Sequence, residues 1–345
     1  MTTLNLTSYA RHGGCSCKLG TDGLAELLTV PEVRVASLKD LAPDDAAIMS
    51  IGGGRALLTS VDFQNAIVDD AALAGEIAAR NALSDLFACG VQPLYADVML
   101  VVPYGDGAIR IGKELMRGVA LACMEDGCAI VGGHTIQGEM PVVGLSVTSI
   151  APLECIKRKS GAQAGDILLL TKPLGTGIAI AARQQAAFSD TDYAGALKVL
   201  RTSNRVGALL GEQAGVTAMT DITGFGLLGH MSEVADSSRV TLQLRLGDVP
   251  VLPGALNAAR DGAIPVLAAD NLRTYSCRCD FDTSLREHER LLLCDPQTNG
   301  GLLIAVRPEA RDAVLDGLAD AGSGAWMIGQ VTARRSDGML VEVAR

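Results

Sequence analysis

The sequence predicts an α/β protein of two domains, and three observations carry that expectation. Its 345 residues are too many for one small module and too few for three ordinary domains. Hydrophobic residues make up 48% and charged residues 20%, which favours a sizeable buried core over a disordered chain. Strand-like and helix-like stretches alternate along the chain, the pattern of sheets covered by helices.

The first thirty residues read as irregular, with Gly13, Gly14 and Gly20 around the string Cys15-Ser16-Cys17-Lys18. Ala46–Ile51 and Ala56–Asp62 read as strands joined by Gly52-Gly53-Gly54-Arg55, a hairpin signal. Asp70–Cys89 is rich in Ala, Leu, Ile and Glu at helical spacing and stops at Gly90. A strand at Leu94–Val102, a helix at Ile109–Glu125 closed by Gly127, and strands at Cys128–Val131 and Val142–Ile150 follow. Gly132-Gly133-His134-Thr135 reads as a tight turn between them. The first domain ends near Pro152, and Lys157-Arg158-Lys159-Ser160-Gly161 reads as a solvated linker. Beyond it, Asp166–Thr171, Val240–Leu246, Gly301–Val306 and Gly338–Val343 predict strands. Gly177–Ala187, Tyr193–Gln213, Leu227–Ala235 and Pro308–Ala321 predict helices. The expected boundaries are a glycine-rich loop at 1–20, a first domain at 21–152 and a second at 153–345.

Charge narrows the function. A formal charge of −10 argues against binding to nucleic acid or to a membrane surface. The acidity is uneven: residues 1–150 carry 9 basic and 17 acidic side chains, the remainder 20 and 22. That bias suggests carboxylates gathered for cations, although solvated surface acids give the same count. With 3% aromatic residues a base-stacking platform is not expected. The start lacks the basic and apolar regions of a signal peptide, and the most apolar stretch, near Val98–Pro103, is too short to span a bilayer. Nine scattered cysteines complete the picture of a protein of the reducing cytoplasm.

Several motifs bear on chemistry. In Gly13-Gly14-Cys15-Ser16-Cys17-Lys18 an ammonium neighbours a thiol, which lowers thiol pKa and favours the reactive thiolate. An exposed terminal loop with incidental cysteines is the equal alternative. Cys277-Arg278-Cys279 repeats the spacing, but four cysteines so arranged are atypical of zinc. Asp44, Asp45, Asp62, Asp85 and Asp221 lie at the ends of apolar runs or inside them. Carboxylates from separate segments suit Mg²⁺ bridged by phosphates, while each alone is more often a helix cap, a turn residue or plain surface. Asp85, within Asn81-Ala82-Leu83-Ser84-Asp85-Leu86-Phe87, is the hardest to dismiss. Gly132, Gly133 and His134 could cradle phosphate oxygens or simply make a turn. Gly224-Phe225-Gly226-Leu227-Leu228-Gly229, with Asp248 after the next strand, matches a dinucleotide fingerprint. Against that reading, Asp221 would repel pyrophosphate, and the glycines also fit a helix start packed closely on a sheet. A phosphate-handling enzyme, an NAD-dependent oxidoreductase and a non-catalytic soft-metal carrier using Cys15, Cys17, Cys277 and Cys279 remain open.

Gly14-Cys15-Ser16-Cys17-Lys18, Asn81–Asp85 and Thr220-Asp221-Ile222-Thr223-Gly224-Phe225-Gly226-Leu227-Leu228-Gly229-His230 together resemble the selenophosphate synthetase (selenide, water dikinase) family. The resemblance extends through Asp44-Asp45-Ala46-Ala47, Gly132-Gly133-His134 and Asp295-Pro296-Gln297-Thr298, nearly the whole chain. The layout of glycines and aspartates is shared with the wider aminoimidazole ribonucleotide synthetase-like ATP enzymes; the Cys-x-Cys-Lys head singles out the selenium member. The resemblance implies two domains, each a mixed sheet packed with helices. It implies synthesis of selenophosphate from ATP, selenide and water, with AMP and phosphate released, supplying selenium for selenocysteine and selenouridine. Cys15 would be the essential thiol and Lys18 a contact to the ATP phosphates, on a loop that moves. Asp45, Asp85 and Asp221 would hold Mg²⁺, with a monovalent cation left open. Ala42, Pro43, Asp44, Asp62 and Asp85 would line the nucleotide site. Gly132, Gly133 and His134 would reach a nucleotide held mainly by the other subunit of a homodimer, and a selenium-delivery protein is a further partner left open. Ser16 stands where many members carry Gly, and Asn299 where Ser is common.

Overall fold

The computed structural model describes residues 6–9, 13–18, 26–27, 29 and 44–345. The first half builds a five-stranded sheet from β1 (Ala47–Gly52), β2 (Arg55–Asn65), α1 (Ala71–Ala88), β3 (Tyr95–Pro103), α2 (Ala108–Glu125), β4 (Ala129–Gly138) and β5 (Val142–Pro152). Its order is β1-β2-β5-β3-β4, with β3 and β4 parallel across the α2 crossover and the other neighbours antiparallel. Asp70 caps α1 by accepting the Leu73 N–H at 2.8 Å, a bond whose loss costs about 1 kcal/mol. α1 and α2 cover one face of the sheet, and glycines let their backbones approach closely. A Cβ on Gly118 would sit 1.8 Å from the Ala72 carbonyl oxygen, and one on Gly75 2.0 Å from that of Leu115. Leu83, Leu86, Phe87, Leu115 and Val119 fill the core between helices and sheet. On the opposite face the register aligns Met49, Val61, Phe63, Ile136 and Ile150, all exposed.

The second half contains β6 (Ile167–Leu170), α3 (Thr176–Gln184), α4 (Asp190–Arg201), α5 (Val206–Gly211), β7 (Val216–Asp221), α6 (Gly226–Ser238) and β8 (Val240–Arg245). It continues through α7 (Ala255–Arg260), α8 (Val266–Tyr275), β9 (Cys279–Phe281), α9 (Glu287–Leu293), β10 (Leu302–Val306), α10 (Arg311–Asp320), β11 (Trp326–Ala333) and β12 (Val341–Ala344). The strands form one mixed sheet in the order β7-β10-β6-β11-β8-β12-β9, in which only β12 runs parallel to its neighbours. Leu168, Leu170, Ile178, Leu228 and Leu242 build the larger core on one face; Leu169, Met219, Ile304, Val314 and Leu318 build a smaller one on the other. Two mixed sheets packed with helices are the architecture the sequence leads one to expect. Among the described residues no helix is long and apolar enough to cross a membrane.

Three expectations are corrected, and one strand was not anticipated. Gly132–Thr135 is not a turn: β4 continues through it because the chain pairs with β3 as far as Pro103, after one register shift. Gly133 is required there, since its φ is +150° and a Cβ would meet the Val98 carbonyl oxygen at 2.2 Å. The expected helix Tyr193–Gln213 breaks between α4 and α5. Thr202 and Asn204 leave the helix to serve buried partners: the Thr202 carbonyl accepts from Lys172 Nζ at 2.6 Å, and Asn204 Nδ2 donates to Ser84 Oγ and the Gly300 carbonyl. Val216–Asp221, not anticipated as a strand, is β7, whose Thr220 and Asp221 are buried against the first half. Lys157–Lys159 is no solvated linker: Lys157 donates to the Gln213 carbonyl at 2.8 Å, and Arg158 and Lys159 pair with Asp44 and Asp45.

Candidate active site

Asn81, Ser84 and Asp85 recur at three- and four-residue spacing on α1, so one helix face presents all three toward the seam between β2 and the second half. Each finds a partner from another element. Ser84 Oγ donates to Asp221 Oδ2 at 2.5 Å, at the end of β7, and accepts from Asn204 Nδ2 at 2.8 Å. Asp85 accepts from Ser60 Oγ of β2. Asn81 Nδ2 donates to Asp62, also on β2, while its Oδ1 accepts the Asn299 N–H at 2.8 Å. Asp45, just before β1, accepts at Oδ1 from Thr220 Oγ1 at 2.9 Å and pairs with Lys159 Nζ at 3.0 Å. Asp44 accepts the Lys159 N–H at 3.1 Å. The carboxylates of Asp45, Asp62, Asp85 and Asp221 thus converge on the seam between the two sheets.

The glycine-rich head closes over this seam. Gly14–Cys17 makes one 3-10 turn, and Gly14, at φ +59°, lies so close to Thr298 that a Cβ would sit 2.3 Å from its Oγ1. Cys15 is buried: its N–H donates to Thr298 Oγ1 at 3.0 Å and its Sγ lies 3.4 Å from Asn81 Oδ1. Lys18 Nζ pairs with Asp62 Oδ1 at 3.1 Å. The side chain of Cys17, and Gly20, Ala42 and Pro43 altogether, lie outside the described residues.

The expected activation of Cys15 by its lysine is overturned in this docked geometry. Burial pushes the thiol up to about 12; Lys18 pulls the other way, but its ammonium is spent on Asp62, and Asp62 and Asp221 both oppose a thiolate. Burial likewise raises Asp45 to about 7 against the pull of Lys159, with Asp221 and Asp44 adding repulsion. Asp85 rises for the same reason, burial first, then Asp221 and Asp62. Such a set is short of positive charge, and Asp45 Oδ2 is buried without a hydrogen-bond partner. A hard cation fits that deficit. Among the described residues no three His, Cys, Asp or Glu side chains are grouped tightly enough to hold an ion unaided. The donor set therefore suits a cation that keeps waters and shares phosphate oxygens.

Other expected groups are placed differently. Gly132, Gly133 and His134 sit on edge strand β4, exposed, with two strands between β4 and β2. His134 shares the uncovered sheet face with Phe63, whereas Asp62 points to the helix side. The four-cysteine arrangement is not assembled among the described residues: Cys277 is exposed and Cys279 buried in the second core. The glycine fingerprint is a packed helix start. Gly226 at φ +68° abuts the Cys294 backbone, and β7 and β8 are separated by three strands, so α6 does not join the neighbouring parallel strands of a dinucleotide βαβ unit. Lys159, Asn81, Ser84, Asn204 and Thr298 escaped the sequence reading as site groups. Only the polar residues one helical turn before Asp85 gave a signal.

Comparisons with known proteins identify the family and the fold. The family model described as AIR synthase related protein, N-terminal domain, matches residues 43–151, and the corresponding C-terminal domain model matches 163–342. A selenide, water dikinase of Enterobacter sp. (strain 638) is 37% identical over 345 residues, covering 99% of both chains. Among solved structures, a thiamine-monophosphate kinase from Stenotrophomonas maltophilia K279a superposes with a TM-score of 0.66 at 20% identity, covering 92% of this chain and 95% of that one. The hydrogenase maturation protein HypE in complex with ATP gives 0.60 at 20% identity, covering 91% and 88%. At such identity these two structures speak to fold alone.

Proposed function

The chain belongs to the selenide, water dikinase family of AIR synthase related proteins, and we propose how its residues divide that family's work. The reaction makes selenophosphate from ATP, selenide and water, releasing AMP and phosphate. Two phosphoryl groups leave one nucleotide, so the site must offset much phosphate charge. Asp45, Asp85 and Asp221 would hold Mg²⁺, which would supply positive charge to offset the phosphates. Ala42, Pro43, Asp44, Asp62 and Asp85 would line the nucleotide site, and Lys18 would exchange its Asp62 partner for a phosphate oxygen. Cys15 is the selenium-handling thiol, a soft atom set apart from the hard oxygen ligands. Asn81 and Thr298 orient it and shield it from water.

The observation that carries this reading is the convergence of buried carboxylates from four segments beneath a docked Cys15 and Lys18. The working organisation is a catalytic loop over 1–20, an ATP- and Mg²⁺-binding domain that dimerises over 21–152, and a second domain over 153–345. The exposed apolar sheet face supports a homodimer in which Gly132, Gly133 and His134 serve the partner's nucleotide. Eight described cysteines are free thiols, which suits the cytoplasm. The product would supply selenium for selenocysteine and selenouridine.

The test is ³¹P NMR of the purified chain with Mg·ATP under anaerobic conditions, with and without selenide. AMP, phosphate and a selenophosphate resonance are expected together, and only with selenide. Release of ADP as the end product irrespective of selenide would sink the reading.

A further inference from the structure

Lys159 is 13% exposed, with its ammonium 3.0 Å from Asp45 Oδ1 and 2.9 Å from Glu233 Oε2. Taking an ammonium out of water costs several kcal/mol unless close partners offset it, so a lysine held here meets a specific demand. The demand lies at Asp45. Its Oδ1 receives both the ammonium and the Thr220 hydroxyl, at 2.9 Å, while its Oδ2 is buried with no partner. Two donors on one oxygen fix the rotation of the carboxylate and leave the other oxygen free. Behind Glu233 lies His230, its Nδ1 3.5 Å from the same Oε2 and its Nε2 accepting the Thr223 N–H at 3.1 Å. A lysine that only balanced charge would need neither a second carboxylate behind it nor a hydroxyl sharing its acceptor.

We propose that Lys159 is the positioning residue for Asp45: backed by Glu233, it occupies Oδ1 so that Oδ2 faces a divalent cation brought in with the nucleotide. The proposal rests on the assignment of Asp45 to the metal set. Groups that orient a metal-binding carboxylate without touching the metal typically change its affinity about 10- to 100-fold when removed.

Mn²⁺ serves as the probe, titrated by electron paramagnetic resonance into the full chain with a non-hydrolysable ATP analogue present, alongside thermal melting of every variant. Lys159→Met is expected to weaken Mn²⁺ binding roughly tenfold or more, with Lys159→Arg recovering part of the loss. Glu233→Gln should weaken it in the same direction by less. A cooperatively melting Lys159→Met that binds Mn²⁺ as tightly as wild type, or more tightly, overturns the proposal. Should Lys159→Met fail to fold, unchanged Mn²⁺ binding in Glu233→Gln overturns it equally. A wild type that takes up no Mn²⁺ with the analogue overturns the Asp45 assignment and this proposal with it. A wild type that binds beside variants that bind equally overturns this proposal alone.

Discussion

Cys15 lies between two opposing influences, a lysine three residues on and a buried setting, and burial wins while the head is docked. The thiol is held up to about 12, so at neutral pH almost none of it is thiolate. Asp62 acts twice against ionisation: it opposes the thiolate directly and it occupies the Lys18 ammonium. Alkylation of Cys15 by iodoacetamide, followed by mass spectrometry of its peptide, should therefore still be accelerating at pH 9 in the ligand-free protein. Asp62→Asn should raise the rate at pH 8 several-fold, because one opposing charge is gone and Lys18 is released toward the sulfur. A wild-type inflection near pH 7, with no change in Asp62→Asn, would mean that the docked environment does not control the thiol. Asn299 shows a different economy. Its φ of +49° suits asparagine, and its Nδ2 donates to the Leu200 and Thr202 carbonyls at 2.8 and 2.9 Å. A shorter serine could not span both.

At the scale of elements, Asp295-Pro296-Gln297 organises the start of α3. Asp295 Oδ2 accepts the N–H groups of Gly177 and Ile178, and Gln297 Oε1 accepts those of Gly175 and Thr176. Burial nonetheless raises Asp295 to about 7, the backbone donors and Gln297 only partly countering it. A carboxyl that titrates near 4 when unfolded and near 7 when folded binds an extra proton in the folded state between those values. Its contribution to stability therefore falls as pH rises through that window. Asp295→Asn keeps an acceptor for the helix N-terminus and removes the ionisation. Urea unfolding at pH 5 and pH 8 should show the variant gaining on wild type by about 1 kcal/mol or more at the higher pH. A pH-independent difference would place the titration elsewhere. The same scale explains what sequence made legible. Strands β1, β2 and β5 and helices α1 and α2 follow hydrophobic period closely, and Asp85 stood out because a charge interrupts an apolar helix. The basic run Lys157–Lys159 misled because nothing local distinguishes a solvated lysine from one buried against Asp45, whose partner lies more than a hundred residues away. β7 was missed for the related reason that its polar residues are satisfied across the seam, by Asp45 and Ser84.

The whole molecule raises a question of reach. Asp62 lies on β2 and His134 on β4, three strand intervals apart, roughly 14 Å, and on opposite faces of the sheet. One chain therefore does not bring its own His134 to its own carboxylates across that sheet. The uncovered face carrying His134 also exposes Met49, Val61, Phe63 and Ile136, apolar area that a second copy would remove from water. If the copies bury this face so that edge strand β4 of one reaches the seam of the other, each active site takes Asp221 from one chain and His134 from the other. Asp221→Asn keeps the shape and removes the charge, so that variant alone should melt normally and make no selenophosphate. His134→Ala should be impaired as well. Co-expressed with different affinity tags and purified as verified heterodimers, the two should recover up to about half of wild-type turnover, because one composite site then contains both native residues. Heterodimers as inactive as their parents would instead require each chain to complete its own site, with the apolar face serving another purpose.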